Sequence, residues 1–258
     1  MSGDLLVLDS VTVRFGGLTA VSALDLRVGP NELVALIGPN GAGKTTAFNI
    51  ITGVYAPSAG RVVFAGREIG GERPHRICRL GIARTFQNIR LFAGLSVLDN
   101  VQAALCGGQR SGVADVLRGP GWRRRQQEHA ARARELLAQL GLERFAEARA
   151  DSLPYGEQRR LEIARALATG PRLLLLDEPA AGMNPSEKEA LRGFIARVRR
   201  EFGIAIVLID HDIPFVMNLC DRVAVLDHGE KIAEGAPEKV KRDPRVIEAY
   251  LGADGAHA

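Results

Sequence analysis

Gly38-Pro39-Asn40-Gly41-Ala42-Gly43-Lys44-Thr45 has the spacing G-x4-G-K-[ST], with Thr46 directly after it. It follows the apolar run Leu33-Val34-Ala35-Leu36-Ile37 and leads into a helical pattern that ends near Gly53, the strand-to-helix context this motif requires. Glycines let the backbone wrap phosphate oxygens closely. The exposed N–H groups and the helix N-terminus supply positive potential. At that spacing Lys44 reaches the β- and γ-phosphates of a nucleotide and the Thr45 hydroxyl binds Mg2+, so the expected ligand is ATP with magnesium. Leu173-Leu174-Leu175-Leu176-Asp177-Glu178 is an apolar strand ending in two carboxylates. Parallel sheets bind ligands at that carboxyl edge. There Asp177 is expected to hold Mg2+ through water, and Glu178 to polarise the attacking water as general base.

The remaining polar pieces are weak alone. His211 follows the run Ile204–Ile209 and Asp210; Gln87 sits in Arg84-Thr85-Phe86-Gln87-Asn88. Leu153-Pro154-Tyr155-Gly156-Glu157-Gln158 opens a helix, with Pro154 near its first turn and Glu157 complementing its dipole.

The elements that must position these residues follow from periodicity. Leu5–Phe15, Ala23–Val28, Leu33–Ile37 and Arg61–Ala65 read as strands. Helical spacing dominates from Leu95 to Leu142, broken at Gly107-Gly108 and by a loop, Gly119-Pro120-Gly121, that runs into Trp122 and Arg123–Arg125. Then helices over 156–169 and 185–202 alternate with strands over 172–176 and 204–209. A short helix, two strands and a helical tail with Pro237 and Pro244 near its helix starts complete the pattern. The near-continuous apolar runs suit strands buried on both faces of a parallel sheet. The fold class is α/β, a P-loop NTPase with a β-rich flank and an inserted helical lobe. Its expected division is a core of residues 1–87 and 157–258, a lobe of 88–156 and a tail of 237–258.

Bulk composition sets limits. The chain has 258 residues, 46% of them hydrophobic and 25% charged, and carries a net charge of +4, too mild to imply nucleic acid. Its three cysteines lack metal-ligand spacing, and Met1-Ser2-Gly3-Asp4 does not resemble a signal peptide. A soluble intracellular protein with reduced thiols is expected. The basic stretch Arg123–Arg125 reads as a solvated loop or as a contact with anionic lipid or a membrane partner.

In this order the pieces resemble the nucleotide-binding subunit of ABC transporters, over nearly the whole chain. The resemblance implies that Gly38 to Thr46 is the Walker A loop and that Asp177 and Glu178 are Walker B. Gln87 becomes the Q-loop glutamine, near the metal and the reacting phosphate, and His211 the switch histidine. Phe15 sits where the family stacks an aromatic on adenine; a core-facing strand residue is the alternative. Leu153 to Gln158 is similar to the signature motif, so Tyr155, Gly156 and Glu157 would face the γ-phosphate bound by a second subunit. Two departures stand out. Pro154-Tyr155-Gly156-Glu157 replaces the usual Ser-Gly-Gly-Gln, which removes a hydroxyl and an N–H. Ala180-Ala181-Gly182-Met183-Asn184 replaces the common Ser-Ala-Leu-Asp, and Asn184 is also a plain N-cap before Pro185 and Glu187.

These departures, with Ile209-Asp210-His211-Asp212 and the ending Val246–Gly252, resemble the branch that serves branched-chain amino acid importers. That implies a LivF-type partner ATPase (or a homodimer in isolation), two transmembrane permeases docked around Asn88 to Asn100, and a periplasmic binding protein. The location would be the cytoplasmic side of a bacterial inner membrane. Alternatives are the same motor with another cargo, such as urea, amides or exported lipopolysaccharide, and a soluble ABC ATPase without a permease. Pro154-Tyr155 counts against the lipopolysaccharide exporter, whose signature keeps Ser-Gly-Gly.

Overall fold

Sheet formation starts in the first 28 residues. Strand β1 (Leu6–Phe15) buries Leu6, Leu8, Val11 and Val13, and β2 (Leu18–Val28) buries Val21, Leu24, Leu26 and Val28. In both, the two-residue alternation slips once, between Leu8 and Val11 and between Val21 and Leu24, where Ser10 (φ 51) and Ala23 (φ 43) take left-handed backbone angles. Each slip is a bulge that returns the next apolar residue to the same face. The Ala23 bulge also explains why the expected start of β2 falls five residues inside the real one: the alternation restarts there.

The computed structural model describes residues 3–107 and 120–254. They form two compact units, one of residues 1–87 and 172–258 and one of 88–171. The first unit holds β1, β2, β3 (Leu33–Ile37), helix α1 (Lys44–Ile51), β4 (Ala59–Phe64), β5 (Arg67–Glu68), α2 (Pro74–Leu80) and β6 (Ile82–Arg84). The second holds α3 (Val97–Gly107), α4 (Pro120–Gln139) and α5 (Tyr155–Ala168), with two short 3-10 turns between α4 and α5. The first unit then resumes with β7 (Leu173–Asp177), α6 (Pro185–Phe202), β8 (Ala205–Ile209), α7 (Ile213–Met217), β9 (Arg222–Asp227), β10 (Glu230–Gly235), α8 (Pro237–Val240) and α9 (Pro244–Asp254).

The first unit contains an antiparallel sheet ordered β2-β1-β4-β5 and a second sheet ordered β10-β9-β3-β8-β7-β6. In the second, β6, β7, β8, β3 and β9 run parallel and only β10 is antiparallel. Every residue of β3, β7 and β8 is buried, as the apolar runs require of strands covered on both faces. Parallel strands bring their carboxyl ends to one edge. The loops after β3, β6, β7 and β8 therefore emerge together there.

Several boundaries differ from the sequence expectation. The lobe extends to residue 171 rather than 156, because α5 packs against α3 and α4 within the second unit. Residues Arg123 to Arg125 are helical, not loop: Pro120 is the first residue of α4, where its fixed φ and missing N–H suit a helix start. Arg124 and Arg125 are exposed, and Arg124 donates to Glu128 one turn on at 3.0 Å. The expected breaks at Gly108 and Gly119 lie outside the described residues. Helix α2 escaped the periodicity reading, although Pro74 at its first position and Gly81 (φ 104) after its last residue mark both ends.

Asn184 caps α6 with a full capping box. Its Oδ1 accepts from the Glu187 amide at 3.0 Å, and Glu187 Oε2 accepts from the Asn184 amide at 2.9 Å. Asn184→Ala should therefore cost about 1 kcal/mol, which in a chain of this size lowers Tm by roughly 2–4 °C. A thermal melt with an unchanged midpoint would show that this cap carries no stability.

Candidate functional site

The phosphate loop is built by close backbone packing. Gly38 (φ 150) lies so near β9 that a Cβ there would sit 2.0 Å from the Leu226 carbonyl oxygen. Gly43 (φ 99) approaches β2, where a Cβ would meet the Ala20 carbonyl oxygen at 2.5 Å. No L side chain fits either position. Between them Pro39, Asn40, Gly41 and Ala42 curl over, and the Ala42 amide donates to the Pro39 carbonyl at 3.2 Å. The β9–β10 turn braces the loop from outside, its Gly229 amide donating to the Ala42 carbonyl at 3.1 Å. Lys44 folds across the loop, with Nζ 2.7 Å from the Gly38 carbonyl and 2.8 Å from that of Pro39. Burial pushes its ammonium below the usual lysine range, against the opposing pull of Glu178 and then Asp177.

A cleft of about 340 Å³ opens over this loop, lined by Asn40 to Thr46, Leu18 to Ala20, Glu178 and His228. Thr45 is exposed on α1 and Thr46 is half-buried. Phe15, at the end of β1, is 43% exposed and meets Tyr55 edge-on with ring centroids 5.0 Å apart. The core-facing alternative for Phe15 therefore fails, because its strand ends in a two-glycine turn outside the packed region. It stands clear of the core with its ring available for stacking. Tyr55 beside it carried no signal in the sequence beyond being aromatic.

The carboxylates occupy the end of β7. Asp177 is buried, and Arg84 Nη2 donates to its Oδ2 at 2.6 Å. Glu178 has a left-handed backbone (φ 45), a conformation that costs a non-glycine residue roughly 1–3 kcal/mol and that clusters at active sites. Its amide is held by the Ile209 carbonyl at 2.7 Å. Gln87 Nε2 donates to Glu178 Oε2 at 2.9 Å, and His211 Nδ1 lies 3.5 Å from the same oxygen. The fold thus brings together Gln87, Glu178 and His211, which are remote in sequence, through adjacent strands β6, β7 and β8. Asp210, beneath His211, accepts from the amides of Ala180 at 3.2 Å and Asp212 at 2.9 Å. Burial raises its carboxyl above the ordinary range, against those two hydrogen bonds. It ties the loop after Glu178 to the histidine loop. Sequence reading gave no role to Asp210 or Arg84; a charged residue directly following apolar strand residues was the available signal.

In the second unit, Pro154 precedes α5 and Gly156 leaves its first turn bare, since a Cβ there would meet nothing within 4 Å. Tyr155 is 41% exposed. The Glu157 amide donates to the Pro154 carbonyl at 3.0 Å, and its carboxylate pairs with Arg160 at 3.4 Å and Arg144 at 3.6 Å. Farther along, Arg159 and Glu162 form a buried pair at 2.7 Å. Asn100, wholly buried, pins the preceding loop by accepting from the Phe92 amide and donating to the Phe92 and Ser96 carbonyls. Phe92 and Leu95 remain exposed on that loop.

A glycine loop leading from a buried strand into a helix, a lysine crossing it and carboxylates at the end of β7, separated from β3 by β8 alone, together define a P-loop nucleotide-binding domain. Comparison with known proteins narrows the class. Residues 21–181 match the family described as ABC transporter, and residues 230–256 the one described as branched-chain amino acid ATP-binding cassette transporter. The chain is 44% identical over 253 residues to the high-affinity branched-chain amino acid transport ATP-binding proteins BraF of Pseudomonas aeruginosa and LivG of Escherichia coli K12, covering 98% of this chain and 99% of each. It is similar to a crystal structure of the ADP conformation of an ATP-binding cassette of an ABC transporter, with TM-score 0.85 and 30% identity over 97% of this chain and 99% of that one. It is also similar to a dimeric cassette in a post-hydrolysis state bound to ADP and Pi, with TM-score 0.72 and 27% identity over 90% and 98%. The chain belongs to the ABC transporter family, as an ATP-binding and ATP-hydrolysing subunit. Among its described residues no helix is long and apolar enough to cross a membrane.

Proposed function

We propose that this chain is one motor subunit of an importer for branched-chain amino acids, on the cytoplasmic face of a bacterial inner membrane. The observation that carries the motor role is the convergence of Gln87 and His211 on one oxygen of Glu178, at 2.9 and 3.5 Å, beside the phosphate loop. Lys44 and the backbone N–H groups of the loop from Asn40 to Thr46 hold the phosphates, and Phe15 stacks on the base. Glu178 takes a proton from the attacking water, with Gln87 and His211 orienting it. Magnesium fits the donor set: the Thr45 hydroxyl and Asp177 carboxylate are hard oxygens, with the Gln87 amide as a further candidate. Mg2+ combines one or two carboxylates with phosphate and water rather than a dense protein cage. When bound, the ion offsets charge on the phosphates.

The α5 start, with Tyr155, Gly156 and Glu157, serves the ATP held by a second subunit, LivF-type in the full assembly. Its dipole and backbone act there in place of the absent serine hydroxyl. ATP closes the pair, and hydrolysis reopens it. Exposed Phe92 and Leu95, on the loop pinned by Asn100, form the surface for a permease helix; two permeases and a periplasmic binding protein complete the transporter. Relatives alike over nearly their full length support this cargo, with urea, amides and lipopolysaccharide as the alternatives. The test is uptake of labelled leucine, isoleucine and valine by vesicles carrying this chain with the permeases, partner ATPase and binding protein encoded beside it. ATP-dependent uptake lost in Lys44→Ala is expected. ATP hydrolysis coupled only to urea, amides or lipopolysaccharide, or no transport genes nearby, would overturn the cargo.

A further inference from the structure

Arg84 is the last residue of β6, and both its side chain and that of Asp177 are only 8% exposed. Beyond its bond to Asp177, its Nη1 donates to Asn49 Oδ1 at 2.7 Å. Its guanidinium carbon lies 5.4 Å from the Phe48 ring centroid and 5.3 Å from that of Phe86. A buried ion pair is a poor source of stability, because desolvation offsets most of the Coulomb gain. Its placement is more informative. The guanidinium is held from α1, the helix that begins in the phosphate loop. It belongs to β6, which leads to Gln87 three residues on, and it grips the carboxylate that ends β7. The bond to Oδ2 sets the plane of the Asp177 carboxylate and leaves Oδ1 for a second ligand.

We infer that Arg84 is a positioning residue for magnesium: it orients the Asp177 carboxylate toward the ion that arrives with ATP. The inference rests on the reading of Asp177 as a metal-holding residue. Partners that orient a ligand typically matter ten- to hundredfold in metal affinity.

The test is equilibrium binding of a fluorescent ATP analogue to the full chain, in EDTA and across a Mg2+ series. Arg84→Met should keep its metal-free affinity within about twofold and raise the half-saturating Mg2+ roughly ten- to hundredfold. Arg84→Lys should fall between, since an ammonium keeps the charge but cannot fork between Asp177 and Asn49. Asn49→Ala, which loosens the fork without removing the charge, should shift the midpoint the same way by a smaller factor. An unchanged midpoint in folded Arg84→Met, or in Asn49→Ala should Arg84→Met not fold, overturns the inference, even if melting falls as for a merely structural pair. Asp177→Asn separates the two claims. If it leaves the Mg2+ midpoint at the wild-type value, the assignment of Asp177 fails. If it shifts the midpoint while the Arg84 and Asn49 variants do not, only the positioning role fails.

Discussion

Glu178→Gln should bind ATP with wild-type affinity and hydrolyse it about 10²- to 10⁴-fold more slowly, the usual contribution of a positioned general base. The substitution is isosteric. It preserves an oxygen for the Gln87 amide at 2.9 Å and leaves the left-handed backbone at residue 178 no more strained than before. What it removes is the anionic proton acceptor. Phosphate binding by Lys44 and the loop amides is untouched, so the ATP-bound, paired form should accumulate. Gel filtration with ATP and magnesium, beside a phosphate-release assay, reads both effects. Turnover within about threefold of wild type would refute Glu178 as the base.

Gly38→Ala should be the most damaging single-methyl change in the phosphate loop. The new Cβ would meet a backbone oxygen of β9 at 2.0 Å and the attached carbon at 3.0 Å, and neither can give way as a flexible side chain would. Strand β9 is held against β3 by parallel pairing through Ile37 and Val225, so relief must come from the loop itself. Overpacking and left-handed strain together amount to about 3 kcal/mol, or roughly 6–12 °C in Tm for a chain of this size. ATP affinity should collapse, because the loop amides lose their common focus. Gly41→Ala is the control: its φ of 81 is also unfavourable for alanine, but a Cβ there would meet nothing within 4 Å. It should lose only about 1 kcal/mol. Equal melting temperatures for Gly38→Ala and the wild type would sink the packing argument.

Much of the scaffold was legible because its signals are local. The runs at 173–176 and 204–209 are too apolar for anything but buried strands. Pro185, Pro237 and Pro244 each open a helix at the first position. Less legible were elements whose conformation is imposed from outside. Strand β6 is three residues long and exists by pairing with β7, and the first half of β2 hides behind its bulge. Arg123 to Arg125 were misread because a Gly-Pro-Gly sequence suggests a turn, whereas Pro120 there begins a helix.

The sequence alone determined the phosphate loop. Its glycines, lysine and threonine lie within nine residues, so their relative geometry follows from short-range backbone constraints and the strand and helix on either side. The meeting of Gln87, Glu178 and His211 was decided only by the tertiary structure. Gln87 and Glu178 are 91 residues apart, and nothing in either segment specifies that β6, β7 and β8 lie side by side. The same holds for Arg84 with Asp177 and for Asp210 with Ala180, whose charges and bonds acquire meaning only once long-range strand pairing has buried them together. Local chain stiffness is written residue by residue. Strand order is a property of the whole core, settled by which apolar faces can be covered at once.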